Sequence, residues 1–346
     1  MRLLLTCLAS ISLTAGAVLA VPLTDSTTIE IDATWWQEPG GWTYPMHVRV
    51  PDGPPPAGGF PICILLHGNG GNGQGMLSGF GQVLDCHALV APTGYANSWN
   101  ICAEQSDAPD SAMVSELIET LQEFDNVNPQ AIRLLGFSNG SALANSVLIE
   151  DTNAGLEAVC AVVSQLSNGQ YHQGNYHCPA NGSTDPNAPF CGYDTPTAMT
   201  FGRRYLSICN ENDPVIPYQG GESGVGVTFL NAQFATYLIA QSQGYDGPPI
   251  SGSGEQVGDS DVYAYSYLNG DVTHLRGNAG HGINQTQQEF MVDFLRNCDV
   301  IIECEGDYTG DENVNVDDLL SVISGWGNPY GVNDLLAVIA GWGPCP

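Results

Sequence analysis

Between about residues 27 and 297 the chain repeatedly exchanges a β-forming run for a stretch of helical periodicity, and few layered architectures accept that rhythm. Extended candidates are residues 47–50, 61–66, 88–92, 131–136, 158–164, 204–209 and 262–267. Val114, Leu117, Ile118, Leu121 and Phe124 recur at three- and four-residue steps, which gives one apolar face of a helix with Asp110 placed to cap it. Further helices are expected at 229–243 and 287–297, the latter with Phe290, Met291, Phe294 and Leu295 inward. The alternation predicts an α/β domain with a largely parallel sheet.

Two stretches break the pattern. Residues 168–200 are rich in Gly, Pro, Asn and Asp, which reads as a long surface insertion. Near the C-terminus DLLSVISGWG (318–327) recurs as DLLAVIAGWG (334–343), an internal repeat that marks a small separate module. At the other end, Met1-Arg2, an apolar stretch 3–19 and Val18-Leu19-Ala20 fit a cleaved export signal. The expected organisation is a signal at 1–20, a main domain at 21–299 and a tail module at 300–346.

Export gives the cysteines a meaning. There are 11, and losing Cys7 with the signal leaves an even set for pairing in an oxidising compartment. The expected pairings are the nearby cysteines Cys178–Cys191 and Cys86–Cys102. The chain carries 7 basic and 37 acidic residues, none of the former lysine, for a formal charge of −30. Such a surface repels nucleic acid, anionic membranes and polyanionic substrates, and it suits a soluble protein in a salty medium. No segment after the signal is apolar enough to span a bilayer.

The apolar run Ile132 to Leu135 stops at Gly136-Phe137-Ser138-Asn139-Gly140 and gives way to Ser141, Ala142 and Ala144. A serine at a sharp strand-to-helix turn stands clear of the backbone, and its flanking positions must then be nearly free of side chain. The pentapeptide alone also fits an ordinary turn. A serine nucleophile needs a base and an orienting acid, in this type of fold in the order serine, acid, histidine. Asp213, just past a strand and before Pro214, is the candidate acid, with Glu211 as fallback. His281 in Asn278-Ala279-Gly280-His281-Gly282 is the candidate base. His274 sits inside an apparent strand and reads as a surface or packing residue, while His47, His87, His172 and His177 precede the acid. A metal site from His172, His177 and Cys178 competes there with a disulfide-bonded loop. Oxyanion donors are expected from the backbone of Asn139 and, in LLHGNGGN (65–72), from Asn69 and next Gly70.

With these residues in place, the chain resembles secreted polyhydroxybutyrate depolymerase-like and feruloyl esterase-like α/β-hydrolases over most of 47–297. The resemblance rests on LLHGNGGN, APTGYANSWN (91–100), SDAPDSAMVSELI (106–118), RLLGFSNG (133–140), NDPVIPYQGG (212–221) and GHG (280–282). It implies Ser138 as nucleophile, Asp213 as acid, His281 as base, Asn69 and Asn139 as oxyanion donors, and Trp99 with Gly70 beside the substrate. It implies hydrolysis of a carboxylic ester attached to a polymer, either a feruloylated or acetylated polysaccharide or a polyhydroxyalkanoate, with no cofactor. A departure follows the histidine, where GHGIN runs into QTQQ instead of an aromatic residue and proline. The rival readings are a secreted serine peptidase of the same fold and a non-catalytic polysaccharide or cell-surface binding protein.

GDYTGDENVNVDDLL (306–320) resembles the calcium loop of dockerin type I repeats, which is EF-hand-like. Asp307, Thr309, Asp311, Asn313, Asn315 and Asp318 stand at loop positions one, three, five, seven, nine and twelve, oxygen ligands suited to Ca2+. Glu312 replaces the usual glycine at position six, and the second repeat keeps its helix but little of its loop. The resemblance implies a small α-helical module that docks to a cohesin-like or cell-surface partner.

Overall fold

Nine strands form the central sheet: β1 (Met46–Arg49), β2 (Phe60–Leu66), β3 (Ala88–Pro92), β4 (Val127–Phe137), β5 (Leu156–Val162), β6 (Arg204–Asn210), β7 (Glu255–Gln256), β8 (Tyr263–Tyr267) and β9 (Val272–Gly277). The computed structural model describes residues 21–182, 184–296, 306–309, 313–327 and 330–344. The expected signal, the boundary near 299, Asp311, Cys298, Cys304 and Cys345 lie outside the described residues.

The strand order is β7-β8-β9-β6-β5-β4-β2-β3-β1. β9, β6, β5, β4, β2 and β3 run parallel, and the antiparallel strands sit at the two edges. This is the α/β-hydrolase architecture, a mostly parallel sheet flanked by helices. Because successive side chains leave a strand on opposite faces, each strand feeds two cores. Ile62, Ile64, Leu66, Leu134 and Val159 join one cluster with α2 (Asp110–Leu121), α3 (Asn139–Glu150) and α4 (Ala232–Ser242). Cys63, Leu65, Leu135, Cys160 and Ile208 join the other with α1 (Gly73–Phe80) and α5 (Gln285–Leu295). Strands buried on both faces read as continuous apolar runs, which is why the parallel ones were visible in the sequence.

Boundaries differ where side chains bond backbone. α5 begins before residue 287 because Asn284 and Gln287 form a reciprocal capping box. α1 opens at Gly73, which must lie against the sheet: a Cβ there would stand 2.1 Å from the Ala91 carbonyl oxygen. Asp110 does not cap α2. The cap position is Pro109, and the Asp110 carboxylate accepts from Tyr44 Oη at 2.9 Å and from the Asn100 amide at 2.7 Å. Its burial pushes the carboxyl up to about 7.

The insertion is a small antiparallel sheet of Tyr171–His172, Asn175–Pro179 and Tyr193–Thr197. Neither expected cysteine pairing forms. Cys191 is bonded to Cys102, a sequence separation of 89, while Cys178 is a free thiol and Cys86 is disulfide-bonded elsewhere. Pairing strands inside the insertion carries Cys191 back onto the loop before α2. His172 and His177 stack at 3.7 Å with Nδ1 atoms turned to backbone carbonyls, so they do not converge on a metal.

In the tail α6 (Val316–Ser324) and α7 (Val332–Ala340) pack through Val322 and Val338, with Val314 from a short strand between them.

The Cys102–Cys191 link restrains a long loop in the unfolded chain, and removing such a bond costs about 2–5 kcal/mol. A Cys102→Ser, Cys191→Ser double variant is expected to melt several degrees lower in calorimetry, with faster amide exchange over 168–200. An unchanged Tm would contradict this linkage.

Candidate active site

Ser138 follows β4 directly and adopts φ 53°, ψ −115°, a backbone state that costs a non-glycine residue energy. Its amide donates to Val162 O at 2.8 Å, and the adjacent helix α3 starts one residue later. The turn closes because the flanking glycines have no side chains. A Cβ at Gly136 would stand 2.2 Å from Gly140 O, and one at Gly140 2.3 Å from Leu66 O.

Three segments converge above this turn. Ser138 Oγ lies 2.8 Å from His281 Nε2, and His281 Nδ1 lies 2.9 Å from Asp213 Oδ2. The Asp213 side chain is only 2% exposed, and its other oxygen accepts from the Val215 amide at 2.8 Å and the Ile216 amide at 3.1 Å. A carboxylate so held accepts a hydrogen bond from Nδ1–H, which leaves Nε2 as acceptor for the serine hydroxyl. Glu211, the fallback acid, instead pairs with Arg276 at 3.3 Å. His274 is fully buried, held between Tyr218 Oη at 2.9 Å and Ser207 Oγ at 3.2 Å, and burial pushes it down to about 3.

Ser138, Asn69 and Asn139 line one cavity of about 280 Å³, whose wall also carries Ile101, Ile216, Val227 and Phe229. Asn139 is the first residue of α3, so its N–H has no partner within the helix. Gly70, at φ +78°, spends its N–H on Asn97 O at 2.7 Å and does not line the cavity. Trp99 also sits behind the cavity and not on it. It is fully buried, tilted over His67 at 4.6 Å, and its Nε1 donates to His67 O at 2.7 Å. His67 accepts from the Gly94 amide through Nε2 at 3.0 Å and faces Gly68 O through Nδ1 at 2.8 Å. Burial lowers its pKa and favours the neutral ring that this pairing needs.

Sequence reasoning missed the residues that hold these groups in place. The Asn139 side chain accepts from the Trp99 amide at 2.7 Å and donates to Trp99 O at 3.0 Å and Glu104 Oε1 at 3.3 Å. Glu104 Oε2 accepts from the Ile101 and Cys102 amides at 3.1 and 2.6 Å, and burial raises its pKa. The fully buried Asn210, at the end of β6, donates to Gly280 O and Gly282 O at 2.8 Å each. It accepts from the Ala279 amide at 3.1 Å and Gln287 Nε2 at 2.9 Å. Asn212 adds bonds to Asn278 O and the Gly280 amide at 2.9 Å each. The strand that delivers Asp213 thus also grips the loop of His281. The run Asn210-Glu211-Asn212-Asp213 at a strand end was the available signal.

In the tail, the oxygens read as calcium ligands serve the backbone. Asp318 accepts from Thr309 N and Oγ1 at 2.9 Å each and from the Asn315 amide at 2.8 Å, while Asn315 Oδ1 accepts from the Asp317 amide at 2.7 Å. Thr309 Oγ1 lies 3.3 Å from Asp307 Oδ1. Among the described residues no three His, Cys, Asp or Glu side chains gather as a metal site. Asp311, one of the six expected ligands, lies outside the described residues.

No family model and no curated protein matches the chain. Solved structures similar to it include a Bacillus cereus carboxylesterase, 15% identical, with 74% of this chain and 94% of that chain covered and a TM-score of 0.44. An acetyl xylan esterase from Aspergillus awamori is 12% identical over 72% of this chain and 93% of that chain, with a TM-score of 0.47. The poly(3-hydroxybutyrate) depolymerase LpqC from Bordetella parapertussis is 17% identical over 50% of this chain and 62% of that chain, at 0.36.

Asn210→Ala frees two carbonyls and an amide of the His281 loop. Turnover of p-nitrophenyl acetate is expected to fall about 10²-fold, the scale of a misplaced reacting group, with KM little changed. Asn210→Asp, which keeps the volume but repels both carbonyls, should fall similarly and shift the pH profile of kcat. Wild-type kcat in both variants would remove Asn210 from this role.

Proposed function

We propose that the protein is a secreted serine carboxylic-ester hydrolase with Ser138 as nucleophile, His281 as base and Asp213 as orienting acid. The observation that carries this reading is the unbroken line of hydrogen bonds, 2.8 Å and then 2.9 Å, ending inside a cavity. His281 Nε2 takes the Ser138 proton as Oγ attacks the ester carbonyl. The amides of Asn69 and Asn139 receive the negative charge that develops on the carbonyl oxygen, a contribution of about 3 kcal/mol per donor. His281 then protonates the departing alcohol, and water repeats the cycle on the acyl-enzyme. Acyl transfer of this kind calls for no cofactor.

The apolar wall of Ile101, Ile216, Val227 and Phe229 suits a neutral acyl group of modest size. An anionic acyl group would meet Glu104 with no basic side chain on the cavity wall. Export is supported by the leader-like first residues and by the Cys102–Cys191 disulfide. Among the described residues no helix is long and apolar enough to cross a membrane.

The tail is read as a dockerin-like docking module for a cohesin-like or cell-surface partner. Val316, Leu320, Ile323 and Trp326 on the first repeat, and Val332, Leu336, Ile339 and Trp342 on the second, are each between 52% and 62% exposed. They occupy equivalent positions of the two repeats, and such a duplicated apolar face supports a partner. Since no basic residue follows Arg296, that partner needs a cationic rim.

Ser138→Ala is expected to lower kcat on p-nitrophenyl acetate by at least about 10³-fold while leaving the melting curve in place. Turnover at the wild-type level would end the assignment. Parallel assays with a p-nitroanilide peptide should show no cleavage, and peptide turnover exceeding ester turnover would favour a peptidase.

A further inference from the structure

Trp36 stands at the turn between the strands Asp32–Trp35 and Glu38–Thr43, and at 74% it is the most exposed large apolar side chain among the described residues. The turn beneath it is rigidly mounted. Trp35 and Trp42 meet the edge of Tyr95 at centroid distances of 5.1 and 5.5 Å, and Trp42 meets Tyr44 at 4.6 Å. Tyr44 then bonds Asp110, which holds the Asn100 amide beside Trp99 and Asn139.

The same turn is fastened to the mouth of the cavity. Gln37 Nε2 donates to Gln105 O at 3.1 Å, and Gln37 Oε1 accepts from the Asp107 amide at 2.8 Å and Trp35 Nε1 at 2.9 Å. Gln105 lines the cavity that contains Ser138. Trp36 is thus the neighbour in sequence of a side chain anchored to the wall of that cavity.

The surroundings select the attachment. Residues 32–43 and 95–107 contain no basic side chain, whereas Asp32, Glu38 and Asp107 bring carboxylates. This surface is rich in acceptors, so a matching ligand brings donors together with a flat apolar face. A sugar ring does both, through its hydroxyls and its C–H face, and an aromatic ring covers that face well. A polyester offers only carbonyl and ester oxygens, and laying it here would strip water from carboxylates without giving them partners. An anionic glycan or lipid meets the repulsion of a chain with net charge −30.

We propose that Trp36 is the stacking platform for a neutral polysaccharide chain whose ester group occupies the cavity at Ser138. The inference rests on the ester-hydrolase reading for the seated ester, but its binding arm does not depend on turnover. The full chain and its Ser138→Ala variant are each mixed with insoluble neutral xylan and, separately, with polyhydroxybutyrate granules, and the unbound fraction is measured. Both proteins should be retained by xylan and not by the granules. Trp36→Ala should weaken xylan retention at least about five-fold, and Trp36→Phe should keep most of it. In the catalytic arm, the ratio of kcat/KM on acetylated xylan to that on p-nitrophenyl acetate should drop similarly in Trp36→Ala, through KM on the polymer. Melting curves of both Trp36 variants should overlay the wild type. Absence of xylan retention in the wild type, retention on the granules instead, or an unchanged ratio in Trp36→Ala would each overturn the proposal. Loss of the ester-hydrolase reading would show differently, as unaltered ester turnover in Ser138→Ala.

Discussion

A backbone contact closer than any side chain permits underlies everything at this site. The strand β4 enters, and the helix α3 leaves, through a turn in which the α-carbons of Gly136 and Gly140 sit against carbonyl oxygens of Gly140 and Leu66. Only that closeness holds Ser138 at positive φ with its hydroxyl clear of the sheet. The strain is offset by the two cores, which fix β4 between β2 and β5 and press α3 onto one face of the sheet. One consequence follows directly: α3 opens at the serine, and the N–H of Asn139 is left without an intrahelical partner.

The remaining geometry comes from neighbouring strands in the parallel order. β6 and β9 lie side by side, so the loop after β6 and the loop after β9 emerge next to one another. Asp213 comes from the first and His281 from the second, and Asn210 and Asn212 bond the two loops together. The imidazole is oriented by a carboxylate that is itself fixed by two amides. The energy that holds this arrangement is spread over many neutral hydrogen bonds instead of one ion pair, which suits a chain with 7 basic residues.

The parallel strands and the glycine-flanked serine were legible because each reflects a local rule, double-faced burial for the strands and steric exclusion at the turn. The linear order of serine, acid and histidine followed from the topology those strands impose. What was hidden depends on side chains meeting across long separations. Asn210 reaches loop residues 70 and 72 positions away, and Cys102 finds Cys191 through an insertion whose strands pair only with one another. Trp99 was misplaced for the same reason: the sequence shows an aromatic beside a polar turn, but not the His67 ring and carbonyl that draw it inward. The oxygen spacing in the tail is also a local pattern, and the sequence does not show that Asp318 bonds both Thr309 and the Asn315 amide before α6.

The central claim is that the Ser138 hydroxyl is activated by His281, and covalent labelling reads it most directly. Exposure of the full chain to a fluorophosphonate, followed by peptide mapping, should place a single adduct on Ser138, with labelling slowed by orders of magnitude in His281→Ala. An adduct on another residue, or an undiminished labelling rate in His281→Ala, would contradict the account.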